Sequence, residues 1–197
     1  MSLRALLAAA AAALLLSTGR ADDSVGARDF VAAAERARLA KDPREVIVLA
    51  GAAISGWRPA NGQVNLANLY CLRGDAYARA GEYGKAFRDL DRGAGIRATY
   101  HCEAARAPWK GDLERVYRGA KEMAAAYHSR DGAARARLKA RWWNAPPVSP
   151  SGGDRENGGC EAGPCAGSAP PSTSARQMLA EIDPAARDAY AAGEKKP

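Results

Sequence analysis

Residues 67–96 decide the fold of this chain: ANLYCLRGDAYARAGEYGKAFRDLDRGAGI. In the first half, Gly74 lies between two tyrosines on one face of a predicted helix, and Gly81 ends that helix. The second half carries a helical stripe of large and small residues, formed by Tyr83, Ala86, Phe87, Leu90 and Gly93. A glycine inside a helix costs about 1 kcal/mol relative to alanine. We therefore expect the two helices to approach closely at Gly74 and Gly93.

This order of residues resembles a tetratricopeptide (TPR) repeat. The matching positions are Tyr70, Gly74, Tyr77, Gly81, Tyr83, Ala86 and Gly93. Two positions depart from the family pattern, because Arg73 replaces a usual leucine and Ala98 replaces a common closing proline. TPR proteins are helical scaffolds, so the resemblance implies an all-α fold that binds a protein or peptide. It implies neither a catalytic activity nor a cofactor.

A weaker copy of the repeat covers residues 28–54. When Phe30 is aligned with Tyr70, the small and apolar residues stay in register across both predicted helices. Asp42 and Pro43 supply a typical helix start between them. The copies are further apart than the 34 residues of the family repeat, and the extra residues fit a polar loop at residues 61–63. The resemblance thus predicts two repeats with a long connection.

The pattern does not repeat after Ile96. We predict one long helix that opens at Pro108 and runs through His128, and that caps the last apolar face of the stack. Residues 130–143 either continue this helix or form a short basic helix ending in two tryptophans. In a further alternative, both tryptophans fold back onto the capping helix.

The predicted organisation has four parts. Residues 1–21 read as a signal peptide, and residues 22–143 form the TPR-like helical domain. Residues 144–173 are a linker rich in Pro, Gly and Ser that we expect to be disordered. Residues 174–197 are a short helical tail that we expect to contact the domain only transiently. This arrangement predicts an exported protein, either periplasmic or secreted, in a bacterial envelope.

The four cysteines form an even set, Cys71, Cys102, Cys160 and Cys165. Disulfide bonds are plausible in an exported chain. The favoured pairing joins Cys160 to Cys165, while Cys71 either pairs with Cys102 or stays a buried thiol. The four-residue gap between Cys160 and Cys165 does not match the two-residue gap of a redox or zinc pair.

No catalytic motif stands out in the sequence. It has no zinc-binding histidine pair on a helix, no serine between glycines and no phosphate-binding glycine loop. His101 beside Cys102 does not suggest a nucleophile, because adjacent side chains on a helix point about 100° apart. We therefore expect no enzyme activity, no metal and no cofactor.

The resemblance also identifies a candidate groove, since the first helix of each TPR repeat lines the concave surface. The partner-binding candidates are Arg28, Glu35, Arg38, Asn68, Asp75 and Arg79. The same register places Val31, Leu39, Cys71 and Ala78 toward the groove. Arginine and asparagine can donate hydrogen bonds to a peptide or hold a carboxylate, although an aspartate would repel one. In the alternative, these are solvated charges that pair Glu35 with Arg38 and Asp75 with Arg79.

Two functions follow from these patterns. The first is a non-catalytic adaptor that binds a protein or peptide in the envelope. The second is an envelope protein that contacts anionic lipid or cell-wall polymer through a basic segment with Arg135, Arg137, Lys139 and Arg141. The formal charge of +7 suits an anionic partner. Nucleic acid is not expected, because an exported chain rarely meets it.

Overall fold

The computed structural model describes residues 30–150 and 171–192. In these two ranges the chain is helical and has no strand, apart from one antiparallel bridge between Val148 and Thr173. The all-α prediction is confirmed. The predicted signal peptide, Arg28, Cys160, Cys165 and most of the predicted linker lie outside the described residues.

The helices are named here in chain order. They are α1 (residues 30–39), α2 (Pro43–Ser55), α3 (Gln63–Arg79), α4 (Tyr83–Ile96), α5 (Tyr100–Arg106), α6 (Asp112–His128), α7 (Gly132–Leu138), α8 (Ala175–Ile182) and α9 (Pro184–Ala192). Short 3₁₀ turns lie at Pro59–Asn61 and Ala107–Trp109, and a π-helical turn at Lys139–Trp143 follows α7.

Side-chain caps explain several helix starts. Asp42 accepts a hydrogen bond from the Arg44 backbone N–H, with Pro43 in the first turn of α2. Thr99 accepts one from the Cys102 N–H at the start of α5. Each bond satisfies a backbone donor that the helix itself leaves unpaired.

The α3 and α4 helices approach closely at both glycines, as the sequence predicted. A Cβ on Gly74 would lie 2.9 Å from the Leu90 side chain and 3.0 Å from the Ala86 carbonyl oxygen. On Gly93 it would run into the Cys71 sulfur. The absence of a side chain at these positions lets the two helices share one core.

The unusual Arg73 belongs to a buried ion pair between the same helices. Its guanidinium donates two hydrogen bonds to the Asp89 carboxylate, at 2.6 and 3.1 Å, and the Asp89 side chain is only 3% exposed. The guanidinium also lies over the rings of Tyr70 and Tyr77. A charge therefore packs where the TPR pattern would place leucine.

The buried side chains form two clusters. The smaller cluster joins α1, α2 and α3 and contains Phe30, Ala34, Ala37, Ala50, Ala53 and Leu69. The larger cluster extends from α3 to α9, with Phe87, Leu113, Met123, Trp142 and Met178 among its members. The weaker N-terminal copy thus packs on α3, but its relation to the second copy as a TPR repeat stays a prediction.

The prediction for the region after Ile96 was wrong in one respect. A separate helix, α5, forms at Tyr100–Arg106, and the long helix begins only at Asp112. Pro108 lies in a 3₁₀ turn, and Gly111 has a φ of 95° that a helix cannot accommodate. These two residues separate α5 from α6.

The expectation that the tail contacts the domain only transiently was also wrong. Met178 and Leu179 are completely buried, and α8 packs against α4 and α6. Glu181 accepts a hydrogen bond from the Lys85 backbone N–H near the start of α4, at 3.0 Å. The α8 helix covers an apolar face formed by α4 and α6. The C-terminal helices therefore belong to the domain.

Residues 130–143 form a short basic helix, and the alternative in which both tryptophans fold back onto the capping helix holds only for Trp142. Trp142 packs on α6 at Gly119, where a Cβ would collide with the indole ring. Trp143 stacks on Tyr190 of α9, with ring centroids 6.0 Å apart. Both indoles are buried, so they are core residues of this domain.

We expect Gly93→Ala to destabilise the protein, because the added Cβ would meet the Cys71 sulfur and the Ala67 carbonyl oxygen. Overpacking of this kind costs about 1–3 kcal/mol, which lowers the thermal midpoint by roughly 2–12 °C. Gly95→Ala on the same helix is the matched control, since a Cβ there meets nothing within 4 Å. Equal midpoints for the two variants in thermal unfolding by circular dichroism would contradict the close approach.

We expect Met178→Ala to cost about 2–5 kcal/mol, the usual range for truncating a fully buried methionine. Arg176→Ala on the same helix is the control, because Arg176 is exposed and such changes stay within about 0.5 kcal/mol. Urea unfolding of both variants measures the difference. A Met178→Ala variant as stable as the wild type would place α8 outside the core.

Candidate binding cleft

A cleft of about 640 Å³ lies between α1, α3 and α5. Ten residues line it: Arg38, Asn68, Leu69, Leu72, Asp75, Arg79, His101, Ala104, Ala105 and Pro108. The leucines, alanines and proline supply apolar surface, and the polar side chains come from all three helices. Such a mixture of apolar surface and a few convergent polar groups is typical of binding sites.

Four of the six predicted groove residues line this cleft together. They are Arg38, Asn68, Asp75 and Arg79. Glu35 lies one turn from Arg38 on α1 and forms an ion pair with it, and Arg28 is outside the described residues. The fold therefore brings four of the predicted groove residues, from α1 and α3, into one site.

Two further positions that the register placed toward the groove do not face it. Cys71 and Ala78 are buried in the core, at 1% and 2% exposure. Cys71 is bonded to Cys102 and packs against Gly93. The groove-facing prediction was wrong for these two because both side chains belong to the buried core that α3 shares with the later helices.

The cleft charges form the two local pairs that the alternative interpretation predicted. Arg38 lies 3.5 Å from the Glu35 carboxylate, and Arg79 lies 2.8 Å from that of Asp75. The arginine side chains are 47% and 61% exposed. Exposed pairs of this kind contribute about 0.2–1 kcal/mol, so a ligand that offers Arg38 a better partner can replace Glu35, itself 59% exposed, at small cost.

Asp75 is the least exposed of the charged groups in the cleft, at 21%. Burial raises the pKa of the Asp75 carboxyl, although Arg79 opposes this effect. The buried indole N–H of Trp109 points the same way as Arg79 and lowers the pKa of Asp75. Its geometry falls short of a full hydrogen bond within the described residues. The pair Asp75–Arg79 therefore holds a carboxylate in an unfavourable environment.

The third wall of the cleft, α5, is held to α3 by two contacts. The disulfide bond Cys71–Cys102 joins the two helices covalently. The Thr99 hydroxyl donates to the Asn68 side-chain oxygen at 3.0 Å, which leaves the Asn68 amide NH₂ available to the cleft. An isolated helix of seven residues is not stable in water, so these contacts position His101 and the rest of the wall.

The C-terminal end of α5 is fixed by a charge network. Arg106 pairs with Asp91 of α4 and with Glu114 of α6. Lys121 and the Tyr117 hydroxyl reach the second oxygen of Asp91, at 2.7 and 3.2 Å. The network connects α4, α5 and α6 beside the cleft, and thereby sets the angle of the third wall.

Sequence reasoning missed α5 and hence His101, Ala104, Ala105 and Pro108. A signal was present, because Thr99 is a good N-cap, Glu103 is an acidic residue in the first turn and Arg106 is a basic residue in the last. The segment was too short and too polar to show a helical stripe. The disulfide that secures it was only one of several open pairings.

Within residues 30–150 and 171–192, no cluster of histidine, cysteine or acidic residues has a geometry that would hold a metal ion. No helix in the same residues has the length and apolar character to cross a membrane.

Comparison with protein-family models, curated proteins and solved structures found no match for this chain.

We expect Asp75→Asn to change the pH dependence of stability. Because the pKa of Asp75 is raised on folding, the folded chain holds this proton more tightly than the unfolded chain does. The contribution of Asp75 to stability is therefore greatest at low pH, and it is lost as the pH rises from the ordinary carboxyl pKa through the raised one. Relative to the wild type, the Asp75→Asn variant should gain stability between about pH 3 and 7.

Urea unfolding across that pH range measures this difference. Asp112→Asn is the comparison, since Asp112 is an exposed aspartate paired with Arg115 on α6. A stability difference for Asp75→Asn that stays constant with pH, or that grows in favour of the wild type, would contradict the raised pKa.

Proposed function

We propose that this protein is an exported, TPR-like, non-catalytic adaptor that binds a protein or peptide segment in the cleft between α1, α3 and α5. The observation that carries the proposal is the convergence of Arg38, Asn68, Asp75 and Arg79 on one cleft. The TPR register alone predicts all four as groove positions.

The size and chemistry of the cleft suit a peptide segment. A volume of about 640 Å³ falls in the range of sites that enclose a small ligand or several residues of chain. Two guanidinium groups, one amide and one imidazole offer hydrogen-bond donors. The small side chains of Ala104 and Ala105 leave room for the backbone of a partner near the α5 wall.

Export is supported by two independent features. The first 21 residues have the pattern of a cleaved leader. The disulfide Cys71–Cys102 lies in the centre of the domain, and such bonds persist mainly in oxidising compartments. Both features favour a periplasmic or secreted location.

The alternative, an envelope protein that binds anionic surfaces through residues 130–143, has less support. Trp142 and Trp143 are buried and so are not available to insert into a membrane. Lys139 donates a hydrogen bond to the Tyr190 carbonyl oxygen at 2.8 Å, and Arg135 is partly buried. Of the four cations, only Arg137 and Arg141 are exposed, and Arg141 lies over the Trp142 ring.

Site-specific photo-crosslinking tests the proposal. A benzoylphenylalanine in place of Ala104 lies in the cleft, and the same replacement of Ala52 lies on the exposed side of α2. In envelope extract from the source cells, we expect the first position to give a discrete crosslinked partner and the second to give none. Adding Arg38→Gln and Arg79→Gln should weaken that crosslink.

The crosslinking experiment can also contradict the proposal. Equal labelling from the two positions, or no labelling from the cleft in cells that express the protein, would contradict an adaptor that uses this site. A crosslink that survives loss of both arginines would place the partner elsewhere on α5.

A further inference from the structure

The charged groups of the cleft are not balanced. Arg38 and Arg79 reach it from two different helices, whereas Asp75 is the single acidic residue among those that line it in the described part of the chain. Glu35 partners Arg38 from outside the lining. The lining itself therefore has one more cation than anion and is rich in hydrogen-bond donors, and Glu35 offsets this charge from beside it.

We propose that the partner segment is acidic and that its carboxylates bind Arg38 and Arg79 in competition with Glu35 and Asp75. This inference rests on the proposed function and names the chemistry of the partner. The protein thus carries its own competitors for the two arginines, and these competitors set the affinity of the site.

Geometry supports this exchange at Arg79. The arginine is 61% exposed, whereas Asp75 beneath it is 21% exposed. A ligand carboxylate can therefore approach the free edge of the guanidinium from solvent, and a planar guanidinium can hold a carboxylate through two parallel hydrogen bonds. A cationic ligand would have to pass both arginines to reach Asp75.

Arg38 offers a similar opportunity. It lines both the main cleft and an adjoining cavity of about 200 Å³, as do Leu72, Asp75 and Arg79. The adjoining cavity is also lined by Lys41, a third cation. Positive charge thus continues along the cleft toward the start of α2, which suits a segment with several acidic residues.

The environment of Asp75 makes it a weak competitor. Its charge is held in a partly buried position, and burial raises its pKa. An incoming carboxylate that remains hydrated on its outer side does not bear the same desolvation cost. Replacing Asp75 with a neutral residue of the same shape should therefore strengthen the binding of an acidic segment.

Peptides of one scaffold test the proposal. The probe is a fluorescein-labelled peptide of alanine and leucine with evenly spaced glutamates, and two companions carry glutamine or lysine at the same positions. Fluorescence anisotropy with the mature full chain at low salt measures each affinity. We expect the glutamate peptide to bind more tightly than either companion and to weaken as salt screens the charges.

Variants in the cleft give opposite shifts. Arg38→Gln with Arg79→Gln should weaken the glutamate peptide by roughly 3- to 30-fold, and Asp75→Asn should strengthen it by about two- to fivefold. The matched controls are Arg115→Gln with Arg137→Gln for the first, and Asp112→Asn for the second. These controls change the same charges at exposed positions outside the cleft and should shift affinity by less than their counterparts.

The outcomes separate this inference from the proposed function. If the lysine or glutamine peptide binds as well as the glutamate peptide, if none binds, or if Asp75→Asn weakens the glutamate peptide, the acidic-partner proposal is overturned. A crosslink at position 104 would then still support an adaptor. Binding to phosphatidylglycerol vesicles that needs the same two arginines would also overturn it, in favour of a lipid surface.

Discussion

The close crossing of α3 and α4 is the constraint on which the rest of the structure depends. The Cys71 sulfur packs against Gly93 and the Leu90 side chain packs against Gly74, each in space that a Cβ would otherwise fill. Cys71 packs against Gly93 at this crossing, and its sulfur bonds Cys102 and so joins α5 to α3. A bond that closes a loop of this length stabilises a fold by about 3–4 kcal/mol in the chain-entropy model. The cleft is what this arrangement leaves on the opposite side of α3.

The α3–α4 crossing also contains a buried ion pair. Arg73 and Asp89 join α3 to α4 through a two-bond pair, and removing one partner of a buried pair usually costs far more than the pair contributes. The guanidinium also lies over the rings of Tyr70 and Tyr77, 5.4 and 5.9 Å from their centroids. The pair thus restricts how the two helices can slide past each other.

Prediction from sequence succeeded where the pattern was local and periodic. The glycines and aromatic residues of residues 67–96 were sufficient for α3, α4 and their crossing, and the helical register was sufficient for four cleft residues. Prediction failed for elements whose position depends on packing against residues that are distant in the sequence. A seven-residue helix such as α5 has no stripe to detect, and its position depends on a sulfur 31 residues away. The burial of Met178 depends on the apolar face left between α4 and α6, which no local window contains.

The central claim is that the Cys71–Cys102 bond holds the third wall of the cleft. Hydrogen exchange measured by mass spectrometry on the oxidised protein and on the Cys71→Ser, Cys102→Ser variant tests it most directly. The account predicts that amides of Tyr100–Arg106 lose protection in the variant, while those of α4 and α6 keep theirs. Unchanged protection of α5 would contradict the account, because the wall would then stand without the bond.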